Sequence, residues 1–408
     1  MPVNGLLKDV VVTGIGVITP LDGGKGLGSF WANACQGVNT VKPIARFNTS
    51  GHRCQVGAEI DGLSHLYDER SGLDVEPSAR LMALAFQQAV NDSLLNSKTV
   101  KKAGVAVGTI LAGISSGEKY WSERFLLEGK PQADLFRGYC LDSMTQHVVH
   151  RFDLEGPTFS LNTACCSGAD AIRTAASQIR NGRIPVMLAG GVDILSEFVF
   201  RGFSALNAMT TDGMVRPFDK NRRGLALGEG AGALILEDRE HAEARGAKIY
   251  CILAGAGTAA DAAHLVKPHR DGAGLARAIS QALASASMKG MSFDFICAHG
   301  TGTSYNDSME AKAIKGALNG GSSKPRVTSI KSMIGHTLGA ASAIEAVACV
   351  KALETGVIPP TINFVSQDPE CDLQYVLNKS ARQRIDTCMS LSAGFGGQNT
   401  ALIFQRAN

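Results

Sequence analysis

A pair of adjacent cysteines lies in the segment Ser160-Leu-Asn-Thr-Ala-Cys165-Cys166-Ser-Gly-Ala169. The residues before it favour a short strand, and the apolar residues after it recur at three- and four-residue spacing, which is typical of a buried helix. A thiol on such a strand-to-helix turn faces the positive end of the helix, which lowers its pKa and favours the nucleophilic thiolate. The alternative is an inert cysteine, because free cysteines are often buried.

Two histidines in the second half of the chain follow predicted strands. His299 ends the run Phe293-Asp-Phe-Ile-Cys-Ala-His299, and His336 ends Lys331-Ser-Met-Ile-Gly-His336. A single histidine at a strand end is more often structural than catalytic. Two of them beside glycines, together with a cysteine on a turn, predict acyl chemistry, in which a thiolate accepts an acyl group and imidazoles hydrogen-bond an enolate or oxyanion.

A metal site is the competing interpretation of the same residues. His299 is followed by Gly-Thr-Gly-Thr303 and has no second ligand three or four residues later, as a helical metal motif would have. We therefore expect no metal ion at this site.

Composition and length restrict the class of protein. The 408 residues are 45% hydrophobic and 19% charged, which predicts a globular chain with a large core. A net charge of +3 without basic runs argues against nucleic-acid binding. The ten cysteines form no CxxC pair, and neither a signal peptide nor an apolar run of membrane-spanning length is found. We expect a reduced, cytoplasmic protein that does not bind membranes.

A weak internal duplication divides the chain. The segments 232–236 (Gly-Ala-Leu-Ile-Leu) and 400–404 (Thr-Ala-Leu-Ile-Phe) both follow glycine-rich turns. Cys165 precedes Ala233 by 68 residues, and Lys331 precedes Ala401 by 70 residues. The pattern predicts two homologous α/β halves, 1–248 and 249–408, that share one core.

Two helices of the second half have recognisable ends in the sequence. Asp307-Ser-Met-Glu310 is typical of a capping box that opens a helix. The helix of small residues from Thr337 to Glu354 is expected to stop at Gly356.

The motifs together resemble a known family, the β-ketoacyl-[acyl-carrier-protein] synthases of the elongating type (ketosynthase II). Thr163-Ala-Cys-Cys-Ser-Gly168 resembles the nucleophile motif of that family, and residues 298–303 and 331–336 resemble its two histidine motifs. Gly228-Glu-Gly-Ala-Gly232 and Gly394-Phe-Gly-Gly397 match further blocks in the same order. The resemblance implies a thiolase-like fold, in which two duplicated α/β halves form a five-layered αβαβα core.

The resemblance also implies a reaction. An acyl group on Cys165 would undergo decarboxylative Claisen condensation with malonyl-acyl carrier protein, with release of CO2, in fatty-acid or type II polyketide or polyene synthesis. His299 and His336 would assist decarboxylation, and Lys331 would hold the histidines in place. The backbone N–H groups of Cys165 and Phe395 would form the oxyanion hole, and the Phe395 ring would act as a gate for acyl chains.

Further roles are carried over in the same way. The substrate-binding residues implied are Thr301, Thr303, Leu111 and Gly396, and the residues implied to give structural support are Glu345 and Asn399. Simpler roles remain open for several of them, because Glu345 could be an ordinary ion-pair partner, the two threonines turn formers, and Phe395 a core residue.

The resemblance finally implies partners and leaves alternatives. The phosphopantetheine arm of the acyl carrier protein would enter the site, and no separate cofactor is implied. The chain would work as a homodimer or as a heterodimer with a chain-length-factor-like subunit that activates it. A thiolase-type acyltransferase is a weaker alternative, because Cys388 lies in Asp-Thr-Cys-Met-Ser instead of a glycine-rich turn. Two departures from the family favour a specialised pathway. Position 297 is a cysteine where the family usually has asparagine, and the helix near 77–82 has only Arg80 as a cation.

Overall fold

The computed structural model describes residues 7–23, 25–63, 76–126, 130, 133–288, 293–318 and 324–407. The strands of this part of the chain are β1 (Val10–Ile18), β2 (Lys42–Pro43), β3 (Val56–Ala58), β4 (Gly104–Gly108), β5 (Thr158–Leu161), β6 (Val186–Asp193), β7 (Leu227–Gly228), β8 (Gly230–Asp238), β9 (Cys251–Ala260), β10 (Phe295–Cys297), β11 (Arg326–Thr328), β12 (Val357–Ile358), β13 (Gln374–Tyr375), β14 (Ala381–Arg382), β15 (Thr387–Gly394) and β16 (Gln398–Gln405).

The helices alternate with these strands over most of the chain. They are α1 (Leu27–Gln36), α2 (Pro77–Ser93), α3 (Ser97–Lys101), α4 (Ile114–Phe125), α5 (Ala133–Tyr139), α6 (Ser143–Phe152), α7 (Ser167–Arg180), α8 (Glu197–Ala205), α9 (Arg239–Ala244), α10 (Ala273–Ser285), α11 (Ser304–Leu318), α12 (Lys331–Ile334) and α13 (Ala341–Thr355). Within the described ranges, no helix combines the length and apolar character needed to cross a membrane.

The strand order confirms the predicted duplication. Strands of the first half lie in the order β5-β4-β6-β8-β1, and those of the second in the order β11-β10-β15-β16-β9, with β13 added outside β11. If the five strands of each half are numbered along the chain, their order across the sheet is 3-2-4-5-1 in both halves. Both halves also pair their strands in the same directions, two parallel pairs followed by two antiparallel pairs. The halves join where β1 pairs with β9.

Five layers result from the packing of helices on these sheets. Helices α7 and α13 lie in the middle and contact strands of both halves, while α2 and α6 cover the strands of the first half and α10 covers those of the second. Helix α11 packs against α10 and shares the hydrophobic cluster of the second half. Helix α13 is buried on nearly all sides, as expected of a helix that is apolar all round. It ends at Gly356, which has the left-handed φ of 66° and confirms the predicted stop. The five-layered αβαβα fold is therefore confirmed.

Close approach of the two middle helices requires glycine at their contact. A Cβ atom on Gly168, in the first turn of α7, would lie 2.9 Å from the Cβ of Ala343 on α13. The first turn of α7, which follows the cysteine pair, is thereby held against the helix that follows His336.

Candidate active site

The cysteine turn connects the edge strand β5 to the middle helix α7. Ala164 takes a left-handed φ of 52°, which L residues other than glycine seldom adopt. The turn is held by Thr163, whose N–H donates to the Ser167 Oγ at 3.0 Å and whose hydroxyl donates to the Asp170 carboxylate at 2.7 Å. The predicted strand-to-helix turn is present, and Cys165 lies at its tip.

The two adjacent cysteines have different surroundings. Cys165 lines a cavity of about 360 Å³ and is 6% exposed. Cys166 is fully buried, and its thiol donates to the backbone oxygen of Gln398 at 3.3 Å. The geometry makes Cys165 the cysteine that a substrate can reach.

The structure brings Cys165 together with both predicted histidines. One Nδ1 or Nε2 atom of His299, one of His336 and the Cys165 Sγ all lie within 4.8 Å of one another. The two imidazole rings are nearly perpendicular, at 82°, with centroids 5.3 Å apart. Both histidines are almost completely buried, so they meet the substrate only through the cavity.

Lys331 is hydrogen-bonded to His299. Its Nζ donates to the backbone oxygen of His299 at 2.7 Å and to the His299 Nδ1 at 3.3 Å, and it forms a buried ion pair with Glu345. Three acceptors thus match the three hydrogens of the ammonium group. Lys331 therefore links Glu345 on α13 to His299.

These contacts determine which ring nitrogens carry hydrogen. The Nδ1 of His336 accepts from the backbone N–H of Leu338 at 3.0 Å, and the Nδ1 of His299 accepts from Lys331. A neutral imidazole whose Nδ1 accepts carries its hydrogen on Nε2. Both rings therefore present Nε2–H donors to the cavity.

Burial and the Lys331 charge hold both rings neutral. Desolvation, followed by the nearby ammonium, lowers the pKa of His299 and of His336 well below the usual value. Desolvation also raises the pKa of the Glu345 carboxyl to about 7, and the Lys331 charge opposes that rise.

The prediction of a lowered pKa for the cysteine is wrong. Desolvation raises the pKa of the Cys165 thiol to about 11, although the Lys331 charge and hydrogen bonds from two backbone N–H groups act in the opposite direction. The two N–H groups are those of Phe395 and of Cys165 itself. Because they converge on the sulfur, they are placed to stabilise negative charge on a group bonded to it.

The cavity wall contains some of the predicted substrate residues and not others. Thr301, Thr303 and Phe395 line it, and the two threonine hydroxyls are hydrogen-bonded at 2.9 Å. The Phe395 ring stacks on Phe203, with centroids 5.5 Å apart. Among the described residues that line the cavity, Leu111 and Gly396 do not appear. The Leu111 backbone N–H donates to the Asp193 carboxylate instead, and Gly396, next to Phe395 in the chain, has a left-handed φ of 80°.

The Asn399 side chain is hydrogen-bonded to the glycine-rich turn 394–397. Its side-chain amide donates to the Asp261 carboxylate at 2.9 Å and to the backbone oxygen of Gly397 at 3.0 Å. The side chain therefore ties the turn that carries Phe395 to the end of β9.

The prediction of a capping box at Asp307 and Glu310 is wrong, because α11 already begins at Ser304. Both carboxylates are buried and face the histidine loop. Glu310 accepts from the backbone N–H groups of His299 at 2.6 Å and Gly300 at 2.8 Å, and Asp307 accepts from that of Thr301 at 3.1 Å. The acidic pair therefore bonds the backbone of the histidine loop instead of capping the start of its own helix.

Asp193 is a supporting residue that the sequence did not reveal. It ends β6, is fully buried, and accepts from the Thr109 hydroxyl at 2.7 Å and from the N–H groups of Leu111 at 2.9 Å and Gly339 at 2.6 Å. It therefore joins the loop after β4 to the turn after His336. In the sequence, a single aspartate after the apolar run 185–192 was the feature that could have indicated it.

The three grouped side chains also form a set that could hold a metal ion. The spacing argument against a metal does not apply to them, because the ligand atoms come from three separate turns. A metal ion at Nε2 would instead require the hydrogen to move to Nδ1, where the Leu338 N–H and the Lys331 ammonium already donate. The donor set fits a substrate oxygen better than a cation.

Comparisons with known proteins agree with this geometry. Residues 7–242 match the family described as Beta-ketoacyl synthase, N-terminal domain, and residues 250–365 match Beta-ketoacyl synthase, C-terminal domain. The chain is similar to 3-oxoacyl-[acyl-carrier-protein] synthase 2 of Synechocystis sp., at 37% identity over 98% of each chain.

Two solved structures have the same fold over nearly the whole chain. One is the ishigamide ketosynthase/chain length factor, with a TM-score of 0.91, 33% identity, and coverage of 98% of this chain and 100% of that one. The other is a type II PKS acyl-carrier protein in complex with its ketosynthase bound to the hexaketide, with a TM-score of 0.88, 30% identity, and coverage of 98% and 100%.

Alkylation of Cys165 by iodoacetamide should depend steeply on pH. Only the thiolate reacts, so a pKa of about 11 predicts a rate that rises about tenfold per pH unit, or about 100-fold between pH 7 and pH 9. Peptide mapping of the Cys165 peptide over time measures this rate separately from those of other cysteines. A rate that levels off below pH 8 would contradict the raised pKa.

Proposed function

This chain belongs to the β-ketoacyl synthase family, and we propose that Cys165 is the nucleophile with which it carries out the condensation of that family. It is an acyltransferase of the ketosynthase type. Its reaction joins an acyl-enzyme thioester to a malonyl group on acyl carrier protein by decarboxylative Claisen condensation, as in fatty-acid and type II polyketide synthesis. The observation that carries the assignment of residues is the convergence of Cys165, His299 and His336 at one cavity.

Acyl transfer to Cys165 is the first step of the proposal. The sulfur attacks the carbonyl carbon of the incoming thioester, and the thiol of the phosphopantetheine arm leaves with the proton that Cys165 loses. The N–H groups of Cys165 and Phe395 already approach the sulfur, so they are placed to bind the oxyanion formed on the attacked carbon.

Decarboxylation of the malonyl group is the second step. The Nε2–H groups of His299 and His336 donate to the malonyl thioester oxygen and stabilise the enolate as CO2 leaves. The enolate carbon then attacks the acyl carbonyl, a carbon–carbon bond forms, and the Cys165 sulfur leaves. Lowered pKa values suit this role, because a neutral imidazole at pH 7 keeps its donor without adding a buried charge.

The other wall residues position the arm. Thr301 and Thr303 offer hydroxyls to its amide groups, and Phe395 on its glycine-rich turn moves from Phe203 to admit an acyl chain. The left-handed φ of Gly396, 80°, gives this turn a conformation that a side chain would oppose. The proposed steps need no cofactor beyond the carrier protein's arm, and we place the reaction in the cytoplasm.

Substitution of the two cysteines tests the nucleophile. Cys165→Ala should abolish formation of an acyl-enzyme from an acyl-carrier thioester, because no sulfur remains in the cavity. Cys166→Ala, the matched control, should largely retain it, because its thiol bonds the Gln398 backbone instead. Intact mass followed by peptide mapping measures the acyl adduct. An equal loss of the acyl adduct in both variants would contradict the assignment of Cys165 as the nucleophile.

Substitution of a histidine separates the two steps. His336→Ala should reduce CO2 release from malonyl-carrier protein by about 100-fold, since loss of one oxyanion donor typically costs that much. Acylation of Cys165 should fall far less. His150→Gln, exposed on α6, is the control. Parallel losses of acylation and CO2 release would contradict the division of roles.

A dimer is proposed from an uncovered face of the first half. Strand β5 is the outer strand of its sheet, and aromatic side chains on α4, α5 and α8 are exposed, namely Trp121, Phe125, Phe136 and Phe198. An edge strand offers unpaired backbone groups to another chain, and a large exposed apolar patch marks an interaction site. Light scattering of the purified chain should give twice the chain mass for a homodimer. A monomer without acylation activity that gains it with a chain-length-factor-like subunit would indicate a heterodimer, whereas an active monomer would refute both.

A further inference from the structure

The cavity differs in charge between its buried end at Cys165, called the floor, and its opening to solvent, called the rim. The floor is buried and neutral, formed by Cys165 and the two histidines with lowered pKa. The rim carries two exposed cations, Arg223 and Lys267. Among the described residues that line the cavity, none is an aspartate or a glutamate. The cavity therefore offers positive charge where it opens to solvent.

Both cations lie on segments that contact the loop with the two wall threonines or the residues just after it. The N–H of Gly224, next to Arg223, donates to the backbone oxygen of Gly302 at 3.0 Å. The Lys267 ammonium lies 5.5 Å from the ring centroid of Tyr305, two residues after Thr303. Arg223 and Lys267 thus reach the same wall of the cavity from different segments of the chain.

The neighbouring Arg222 differs from Arg223, because its guanidinium is buried and bonded within the chain. It is 9% exposed, forms an ion pair with Asp368 at 2.5 Å, and donates to the backbone oxygens of Thr303 at 3.1 Å and Ser304 at 3.2 Å. In the described part of the chain, Arg223 and Lys267 form no ion pair with a carboxylate. Their charges are available to an anion from outside.

We propose that Arg223 and Lys267 form an anion subsite that binds the phosphate of the phosphopantetheine arm while its thioester reaches Cys165. The inference rests on the proposed function, since that function brings the arm into this cavity. Arginine and lysine are the residues that bind phosphate oxygens by charge-assisted hydrogen bonds. The subsite would make a phosphorylated arm a better ligand than the same arm without phosphate.

A matched pair of probes tests the subsite apart from acyl-chain preference. The probes are analogues of 4′-phosphopantetheine and of pantetheine in which the terminal thiol is replaced by an amine that carries a bromoacetyl group through an amide. The sulfur of Cys165 displaces bromide from either one and forms a thioether. The rate of alkylation is followed by intact mass at low salt. The wild-type chain should react about tenfold faster with the phosphorylated probe, as expected of two exposed charge contacts. The double variant Arg223→Gln, Lys267→Gln should reduce that ratio to near one.

The control variant is Lys312→Gln, which removes an exposed cation of α11 outside the cavity and should keep the wild-type ratio. Equal rates with both probes in the wild-type chain, or a ratio that survives in the double variant, would overturn the subsite. If the double variant slows acylation by the whole carrier protein but keeps the probe ratio, the cations contact the carrier protein surface, and the phosphate assignment is wrong. Failure of the proposed function is separate, because it appears as an absence of Cys165 acylation in the wild-type chain.

Discussion

The buried ammonium of Lys331 is the interaction on which the site depends. It is 1% exposed, and its three hydrogens are used by the Glu345 carboxylate and by two atoms of His299. A buried charge is tolerated only when it is paired and fully hydrogen-bonded, and removal of one partner from such a pair typically costs about 3–5 kcal/mol. The same charge contributes to the low pKa of both histidines and opposes the rise in the Cys165 pKa. Desolvation has the largest effect on all three pKa values, and the Lys331 charge is the next contribution to each of them.

Backbone N–H groups bonded to buried carboxylates position the remaining loops. Glu310 and Asp307 hold the loop after β10, and Asp193 holds the loop after β4 and the turn after His336. Each carboxylate accepts several hydrogen bonds, mostly from backbone N–H groups of loops and turns, and Asp307 also lies 3.9 Å from the Arg222 guanidinium. The loops that carry the site residues are therefore tied to buried side chains.

The duplicated architecture explains why the cluster forms between the halves. Cys165 follows β5 of the first half, whereas in the second half His299 follows β10 and His336 follows the short helix α12 that comes after β11. The middle helices α7 and α13 contact both sheets, and glycine at Gly168 lets them approach closely. This packing brings together the ends of strands that are more than 130 residues apart in the chain. A cavity open at one end follows, with the neutral cluster at its floor and the cations at its rim.

The sequence by itself determined the α/β class, the duplication, the strand-to-helix turn at Cys165 and the stop of α13 at Gly356, because all of these depend on local periodicity, small residues and glycine. Spacing and resemblance also selected the cysteine and the histidines. Only the tertiary structure decided that Cys166 faces away from the cavity, that Asp307 and Glu310 bond the histidine loop, and that burial raises the pKa of Cys165. These facts depend on desolvation and on hydrogen bonds between distant segments, and no local pattern in the chain records either of them.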